Sequence, residues 1–292
     1  MPAQDQPWTV LRLINWTKDY FVRAGISDAR LAAEMLLAHV LKCRRIELYT
    51  RFEYLPTPDE LKAYRELIAR AKQHEPVAYL VGEKEFYSLP MKVTGEVLVP
   101  RPETEALVSE AVGYLRTLGR PGRVWDVCTG SGCVAVAIAW QAKDAAVLAT
   151  DVSPTAIEVA AQNVAAHKVG DRVRCRQADL LSLPPDCEDW RQCDVMTANP
   201  PYIGQGDPVA EEVRHEPPVA LFAGPEGLDL IRPLVAGAGA FLAAGGKFVM
   251  EFGFTQADAV RDLIVATGAF AEPKILRDHQ EIERVAVATR RS

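Results

Sequence analysis

The sequence predicts an α/β protein: a doubly wound parallel sheet preceded by a small helical bundle. Three observations carry this reading. From Arg123 onward, short apolar runs alternate with helix-length stretches, the pattern of strands joined by crossover helices. From the start to about His74 the apolar residues recur only at helical spacing. Successive strand ends then carry small, acidic or stiff turn residues, where open α/β sheets receive ligands.

In the first part, Leu11, Ile14, Trp16 and Phe21 mark one helix. In Ser27 to Lys42 the residues Leu31, Met35, Leu36, Ala38 and Leu41 fall largely on one face, with Ser27 as the expected N-cap. Thr57-Pro58-Asp59-Glu60 is a capping box with proline at the first helical position, opening a helix to about His74. From Glu75 to Pro100 the pattern changes to short extended segments, Ala78 to Val81, Lys84 to Tyr87, Met91 to Val93 and Val97 to Val99, broken by Gly82, Pro90 and Gly95. Arg101-Pro102-Glu103-Thr104 leads into a helix over Glu105 to Leu118.

Strands are then predicted at Val124 to Val127, Ala146 to Thr150, Val173 to Gln177, Cys193 to Ala198 and Lys247 to Phe252. The helices between them begin at Val134, run from Ser153 to Lys168 with Gly170 as the stop, and run from Glu226 to Leu242. A helix from Gln256 and strands near Pro273 to Leu276 and Arg284 to Thr289 complete the sheet. The chain thus divides into a helical domain over 1–75, a β-hairpin connector over 76–100 and a sheet domain over 101–292.

A hydrophobic content of 49% with 25% charged residues is that of an ordinary globular protein and excludes disorder. Met1 to Trp8 shows no basic segment followed by an apolar one, and no run of membrane-spanning length occurs, so a cytoplasmic protein without membrane association is expected. The six cysteines include no C-x-x-C pair and no histidine at zinc-finger spacing, so they read as reduced and structural, with no metal site. The net charge of −6 is uneven: Met1 to Leu80 has 12 Lys and Arg against 10 Asp and Glu, the remainder 21 against 29. An acidic sheet domain is a poor phosphate binder, which argues against a nucleic-acid substrate. Lys42, Arg44, Arg45 and Arg51 cluster in the helical domain, most simply as a solvated helix end.

Asn199-Pro200-Pro201-Tyr202 closes the apolar strand Cys193 to Ala198. Two prolines prevent both strand and regular helix from continuing, which stiffens the turn. The Asn199 side-chain oxygen and the Pro200 carbonyl then offer two fixed acceptors beside an aromatic ring, a pair suited to the two hydrogens of a planar NH2 group. Alone, such a stretch also reads as a strand-ending turn with a buried tyrosine.

Asp126-Val127-Cys128-Thr129-Gly130-Ser131-Gly132 joins a strand to a helix with glycines where backbone must approach a ligand, yet lacks the third glycine of a dinucleotide-binding turn. Asp151, at the next strand end, is placed to accept from ribose hydroxyls, and Asp179-Leu180, after the third, to hold an adenine by its amino group and face. Taken separately, each aspartate reads first as a turn or cap carboxylate. Together they describe a nucleoside site without a pyrophosphate cradle, which points to S-adenosylmethionine. A methyl donor gives Asn199 to Tyr202 a purpose. The lone pair of an amide NH2 is delocalised, and holding both hydrogens favours pyramidalisation as a new bond forms.

Arg101-Pro102-Glu103-Thr104-Glu105, Asp126-x-x-Thr129-Gly130-Ser131-Gly132, Asp151-x-Ser153-Pro154, Asn199-Pro200-Pro201-Tyr202-Ile203, Glu216-Pro217 with Ala220-Leu221 and Gly227-Leu228, and Gly82-Glu83-Lys84-Glu85-Phe86-Tyr87 together resemble the release factor glutamine methyltransferases, the HemK/PrmC family. The resemblance runs from about Leu11 to the C-terminus. It implies a seven-stranded class I methyltransferase sheet and a helical domain that helps bind the substrate protein. It also implies methyl transfer from S-adenosylmethionine to N5 of the glutamine in the Gly-Gly-Gln motif of class 1 peptide-chain release factors, by a monomer. By position, Cys128, Thr129, Gly130, Ser131, Gly132, Asp151 and Leu180 would contact the cofactor, beside the Asp179 that the strand ends add. Asn199, Pro200, Pro201 and Tyr202 hold the glutamine, with Asn199 near the cofactor as well.

Two departures stand out. Cys128 replaces a usual glycine, and Asp278 to Arg284 lacks the usual Gly-Arg-Asp-Arg. His215-Glu216-Pro217 also resembles the sister enzymes that methylate a glutamine of a large-subunit ribosomal protein, whereas Arg101 to Thr104 favours the release factor branch. Adenine N6 methylation is a further alternative, since that nitrogen is also a planar NH2. A cofactor-binding protein without catalysis, with Cys128 as the lesion, is another.

Overall fold

The computed structural model describes residues 7–278 and 280–292. The sequence reading of Met1 to Gln6, and His279 within the divergent C-terminal segment, lie outside the described residues. The chain forms two compact units: one up to Glu83 together with Val209–His215, the other Lys84–Pro208 with Glu216–Ser292.

The first unit is helical: α1 (Val10–Arg23), α2 (Ala29–Val40), α3 (Pro58–Ala71) and the short α4 (Val77–Val81). Thr9 caps α1, and Thr57 and Glu60 form the reciprocal capping box on α3. Ser27 does not cap α2. Its hydroxyl bonds Glu212 instead, and Asp28 takes the cap position in a left-handed conformation. The buried face of α2 is Ala32, Ala33, Leu36 and Leu37, with Leu31 left exposed, because the small alanines let α1 and α3 approach closely. Ala78 to Val81, expected as an extended segment, instead belongs to α4, one helical turn after Pro76, stopped by left-handed Gly82.

In the second unit a hairpin of β1 (Glu83–Phe86) and β2 (Leu89–Lys92) comes first. Val97–Val99, expected as a strand, joins no ladder: the Val99 N–H donates to the Glu216 carboxylate at 3.0 Å. The sheet proper comprises β3 (Arg123–Val127), β4 (Ala146–Asp151), β5 (Val173–Gln177), β6 (Cys193–Ala198), β7 (Leu242–Glu251), β8 (Lys274–Arg277) and β9 (Glu283–Thr289). Their order is β5-β4-β3-β6-β7-β9-β8. The first five run parallel and β9 pairs antiparallel with both neighbours, so the sheet is mixed rather than wholly parallel.

Helices α5 (Glu105–Leu115), α6 (Cys133–Gln141) and α7 (Pro154–Ala166) pack on one face against Val124, Val147, Val195 and Val249. Helices α8 (Ile231–Ala238) and α9 (Ala257–Ala266) cover the other face, against Trp125, Leu148, Met196 and Phe248. Alternate residues of the central strands thus enter opposite cores, and each large side chain contributes about 1.5–3 kcal/mol of burial.

Two helix boundaries differ from expectation for local reasons. The stop after α7 falls on Lys168, which adopts φ +56°, and not on Gly170. Helix α8 begins only at Ile231, because Gly227 lies at φ +71° where a Cβ would run into the Tyr202 carbonyl. The chain visits β4 and β5 on one side of β3 and then crosses to β6 on the other, so the sheet's topological switch lies at β3.

Candidate active site

The carboxyl ends of β3, β4, β6 and β7 fall in register: Val127 lies opposite Thr150 and Ala198, and Ala198 opposite Met250. Here a pocket of about 290 Å3 opens, near the lower end of the roughly 300–1,000 Å3 usual for small-molecule sites. Its walls include Cys128, Thr129, Gly130 and Ser131 after β3, Asp151 at the end of β4, Asp179 and Leu180 after β5, and Asn199 and Pro201 after β6. Gly132, Pro200 and Tyr202 are not among the lining residues. Gly132 instead lets α6 begin at φ +77° in close contact with Ala160 of α7, where a Cβ would approach to 2.9 Å.

The turn after β3 is fastened from three sides. The Gly130 N–H donates to Asp151 Oδ2 at 2.9 Å, and the Ser153 N–H to Asp151 Oδ1 at 3.0 Å. Each Asp151 oxygen therefore keeps acceptor capacity for a ligand hydroxyl. Thr129 Oγ1 donates to Asp126 Oδ2 at 2.5 Å and Thr197 Oγ1 to Asp126 Oδ1 at 2.7 Å. Burial pushes the Asp126 carboxyl up to about 6, and raises Asp151 as well. From α7, Asn163 donates to the carbonyls of Ser131 and Lys92 and accepts from the Lys92 N–H, bonding the turn to the hairpin.

Cys128 occupies the glycine-like region at φ +58°, which costs an L residue about 1–2 kcal/mol. Its side chain packs against the Trp125 and Leu148 core, and burial beside Asp151 and Asp126 pushes the thiol well up, so it is neutral. Leu180, also on the pocket wall, is left-handed at φ +45°. Strained residues of this kind concentrate where ligands are held.

At the end of β6, Asn199 Nδ2 donates to Thr104 Oγ1 at 3.1 Å. Thr104 Oγ1 donates in turn to Glu251 Oε2 at 2.6 Å, and the Tyr202 hydroxyl to Glu251 Oε1 at 3.0 Å. Tyr202 thus packs against the β7 side of the core with its hydroxyl engaged. The run from Val97 to Thr104 is held by buried Glu216, which accepts from the Val99 N–H and the Arg101 guanidinium. Sequence reasoning did not single out Thr104, Asn163, Glu216 or Glu251 as supports of the site. Thr104 and Glu216 lie inside quoted motifs and Glu251 at a strand end, but their pairing spans 95 to 147 residues.

The wall is acidic. Glu96, Asp126, Asp151 and Asp179 face it, and Arg101, the one basic lining residue among those described, is paired with Glu216. The hydroxyl of Ser131 is buried without a hydrogen-bond partner. These features fit a cationic nucleoside whose sugar hydroxyls and ammonium need acceptors, and offer nothing to a phosphate. Among the described residues, no group of three or more His, Cys, Asp or Glu is arranged for a metal ion, and no helix is long and apolar enough to cross a membrane.

The seven-stranded mixed sheet with its ligand edge at the β3 switch defines a class I methyltransferase, a class that generally uses S-adenosylmethionine. Comparison with known proteins agrees. Residues 12–82 match the PrmC N-terminal domain family, and residues 111–252 match the methyltransferase small domain family. The chain is 42% identical to the release factor glutamine methyltransferase of Rhodopirellula baltica, covering 97% of each chain. It is 38% identical to that of Geobacter sulfurreducens, covering 98% of each. Among solved structures, the hMettl16 catalytic domain in complex with a MAT2A 3'UTR hairpin superposes with a TM-score of 0.56 at 14% identity, over 75% of this chain and 81% of that one, a likeness of fold. The chain belongs to the release factor glutamine methyltransferase family.

Proposed function

We propose that this protein transfers a methyl group from S-adenosylmethionine to the side-chain N5 of the glutamine in the Gly-Gly-Gln motif of a class 1 peptide-chain release factor, acting as a cytoplasmic monomer. The observation that carries the reading is that Asn199, its Nδ2 engaged by Thr104, lines the same pocket as Asp151 and the Cys128–Ser131 turn. The names borne by close relatives over nearly the whole chain supply the substrate.

S-adenosylmethionine, when bound, supplies an electrophilic methyl on a sulfonium. Asp151 accepts from its ribose hydroxyls with the lone pairs left by Gly130 and Ser153. Asp179 and Leu180 receive the adenine, and the backbone of Cys128 to Ser131 the remainder. Asn199 Oδ1 and the Pro200 carbonyl take the two hydrogens of the target NH2, which orients its nitrogen lone pair and stabilises the tetrahedral nitrogen of the transition state. No strong base is needed beforehand, because the proton leaves after the nitrogen has become acidic. Pro201 stiffens the turn, and Tyr202 holds it from behind through Glu251. Glu96, Val97, Leu98 and Pro100 on the pocket wall exclude water. The helical first unit serves recognition of the release factor.

The test is mass spectrometry of tryptic peptides after incubation with S-adenosylmethionine and an unmodified release factor, with a ribosomal-protein and an oligonucleotide control. One added methyl on the Gly-Gly-Gln glutamine is expected. Methyl on the ribosomal protein alone would move the chain to the sister activity, and on the oligonucleotide alone would overturn the protein-substrate reading. Cofactor binding with no transfer to any of the three would leave a non-catalytic binding protein.

A further inference from the structure

Glu251 closes β7, the neighbour of β6, so its carboxylate lies beside the turn that carries Asn199. It is 1% exposed and Thr104 3%. Three hydrogen bonds run in series: Asn199 Nδ2 to Thr104 Oγ1, Thr104 Oγ1 to Glu251 Oε2, and the Tyr202 hydroxyl to Glu251 Oε1. Burial raises the Glu251 carboxyl above its ordinary range, but the Thr104 and Tyr202 hydroxyls that both donate to it favour the ionised form, which only accepts, and a hydroxyl has one proton. Thr104 gives that proton to Glu251, so it turns a lone pair toward Asn199. A reversed Asn199 amide would set its oxygen against that lone pair with no proton between them. The amide therefore has one allowed polarity, with Nδ2 on Thr104 and Oδ1 left for the pocket that Asn199 lines.

We propose that Glu251, acting through Thr104, fixes the polarity of the Asn199 amide and thereby makes the site select a carboxamide over a carboxylate side chain. This rests on the reading that Asn199 receives the target NH2. Asn199 Oδ1 on the pocket wall, with the Pro200 carbonyl of the same turn as the second acceptor of the proposed mechanism, matches the two donors of a glutamine NH2. A glutamate presents only acceptors and is repelled. With the Asn199 amide reversed, Nδ2 would face the pocket, glutamate would gain a partner and glutamine would lose one. Glutamine and glutamate are nearly the same shape, so the discrimination lies in donor and acceptor polarity, where a mismatch leaves buried polar groups unpaired. Glu251 and Thr104 are positioning residues in this scheme.

The test compares wild-type protein with Thr104→Val, which keeps the shape without the hydroxyl, Thr104→Ser, which restores it, and Glu251→Gln, whose amide can turn either end to Thr104. Each is titrated with intact release factor and with the same factor carrying Glu in place of the Gly-Gly-Gln glutamine. Thr104→Val should lose about tenfold or more in kcat and about tenfold in its preference for the glutamine form. S-adenosylmethionine affinity should stay near wild type, and the thermal midpoint should fall modestly, because buried Glu251 loses one donor. Thr104→Ser should recover both losses, and Glu251→Gln should lose no more of the preference than Thr104→Val, because its amide oxygen can still accept from Thr104. A role confined to holding the fold would change stability and leave the preference alone.

An undiminished glutamine preference in Thr104→Val, or no recovery in Thr104→Ser, overturns the proposal even if Glu251→Gln fails to fold. The side-chain NH2 signals of Asn199 in 15N spectra, assigned by their loss in Asn199→Asp, read the relay without substrate. Slow exchange is expected in wild type and Thr104→Ser, and fast exchange in Thr104→Val. Wild-type protein that methylates no release factor while keeping this exchange pattern would condemn the substrate reading alone. Equal exchange in all variants would condemn the relay.

Discussion

The backbone N–H of Gly130 points to Asp151 Oδ2 at 2.9 Å, tying the turn after β3 to the end of β4. One carboxylate thus shapes the pocket and remains available to a ligand. Asp151→Ala should weaken S-adenosylmethionine binding by roughly 10- to 100-fold, the range for lost charge-assisted hydrogen bonds. Calorimetry reads this directly, and an unchanged Kd would contradict the ribose assignment.

In the proposed reaction Asn199, at the end of β6, acts only once the target NH2 arrives. Asn199→Ala should lower kcat by roughly 10²–10³, as removal of a transition-state partner does, and leave thermal midpoint and cofactor affinity near wild type. Near-normal kcat would sink the acceptor-pair mechanism.

Cys128 stands at φ +58° with its side chain against the core. Cys128→Gly relieves the backbone but loses packing and adds unfolded-state entropy, so stability should stay within about 1 kcal/mol of wild type. Cys128→Val places a β-branched residue in the left-handed region and should destabilise by about 1–3 kcal/mol. Urea unfolding of both variants separates the cases. Equal stability of the two would show that the backbone, not the side chain, is indifferent to the position.

Asp126 holds its proton more tightly in the folded protein, where burial raises it to about 6, than in the unfolded chain at 3.8. Its contribution is therefore most favourable at acid pH, declines as pH rises from 3.8 to about 6, and is then constant. The change amounts to about 3 kcal/mol at most. Asp126→Asn should remove this slope, so the stability difference between variant and wild type should move in the variant's favour from pH 4 to 7. A pH-independent difference in denaturation midpoints would rule Asp126 out as the cause.

Much of the sheet was legible because each signal is local. Four of the five parallel strands show as apolar runs whose alternate residues enter two cores, and Ser153-Pro154 and Thr57 to Glu60 carry their caps within a few residues. The misreadings came where distant chain decides. Val97–Val99 is extended because Glu216 takes a backbone N–H, and α8 starts late because Gly227 must clear Tyr202. Ala78 to Val81 forms part of a helical turn because Pro76 stands at its N-cap and left-handed Gly82 stops it, a pair of end signals that outweighs the β-branched composition.

By itself the sequence determined the alternation of elements, the stiff Asn199–Pro201 turn and the acidic strand ends, because periodicity, proline geometry and side-chain charge are properties of neighbouring residues. Only the tertiary structure decided what supports them. Thr104, Glu251, Asn163 and Glu216 acquire their roles from hydrogen bonds to residues 32 to 147 positions away. A hydroxyl or carboxylate carries no mark in the sequence of which partner it will meet once the strand ends are brought together.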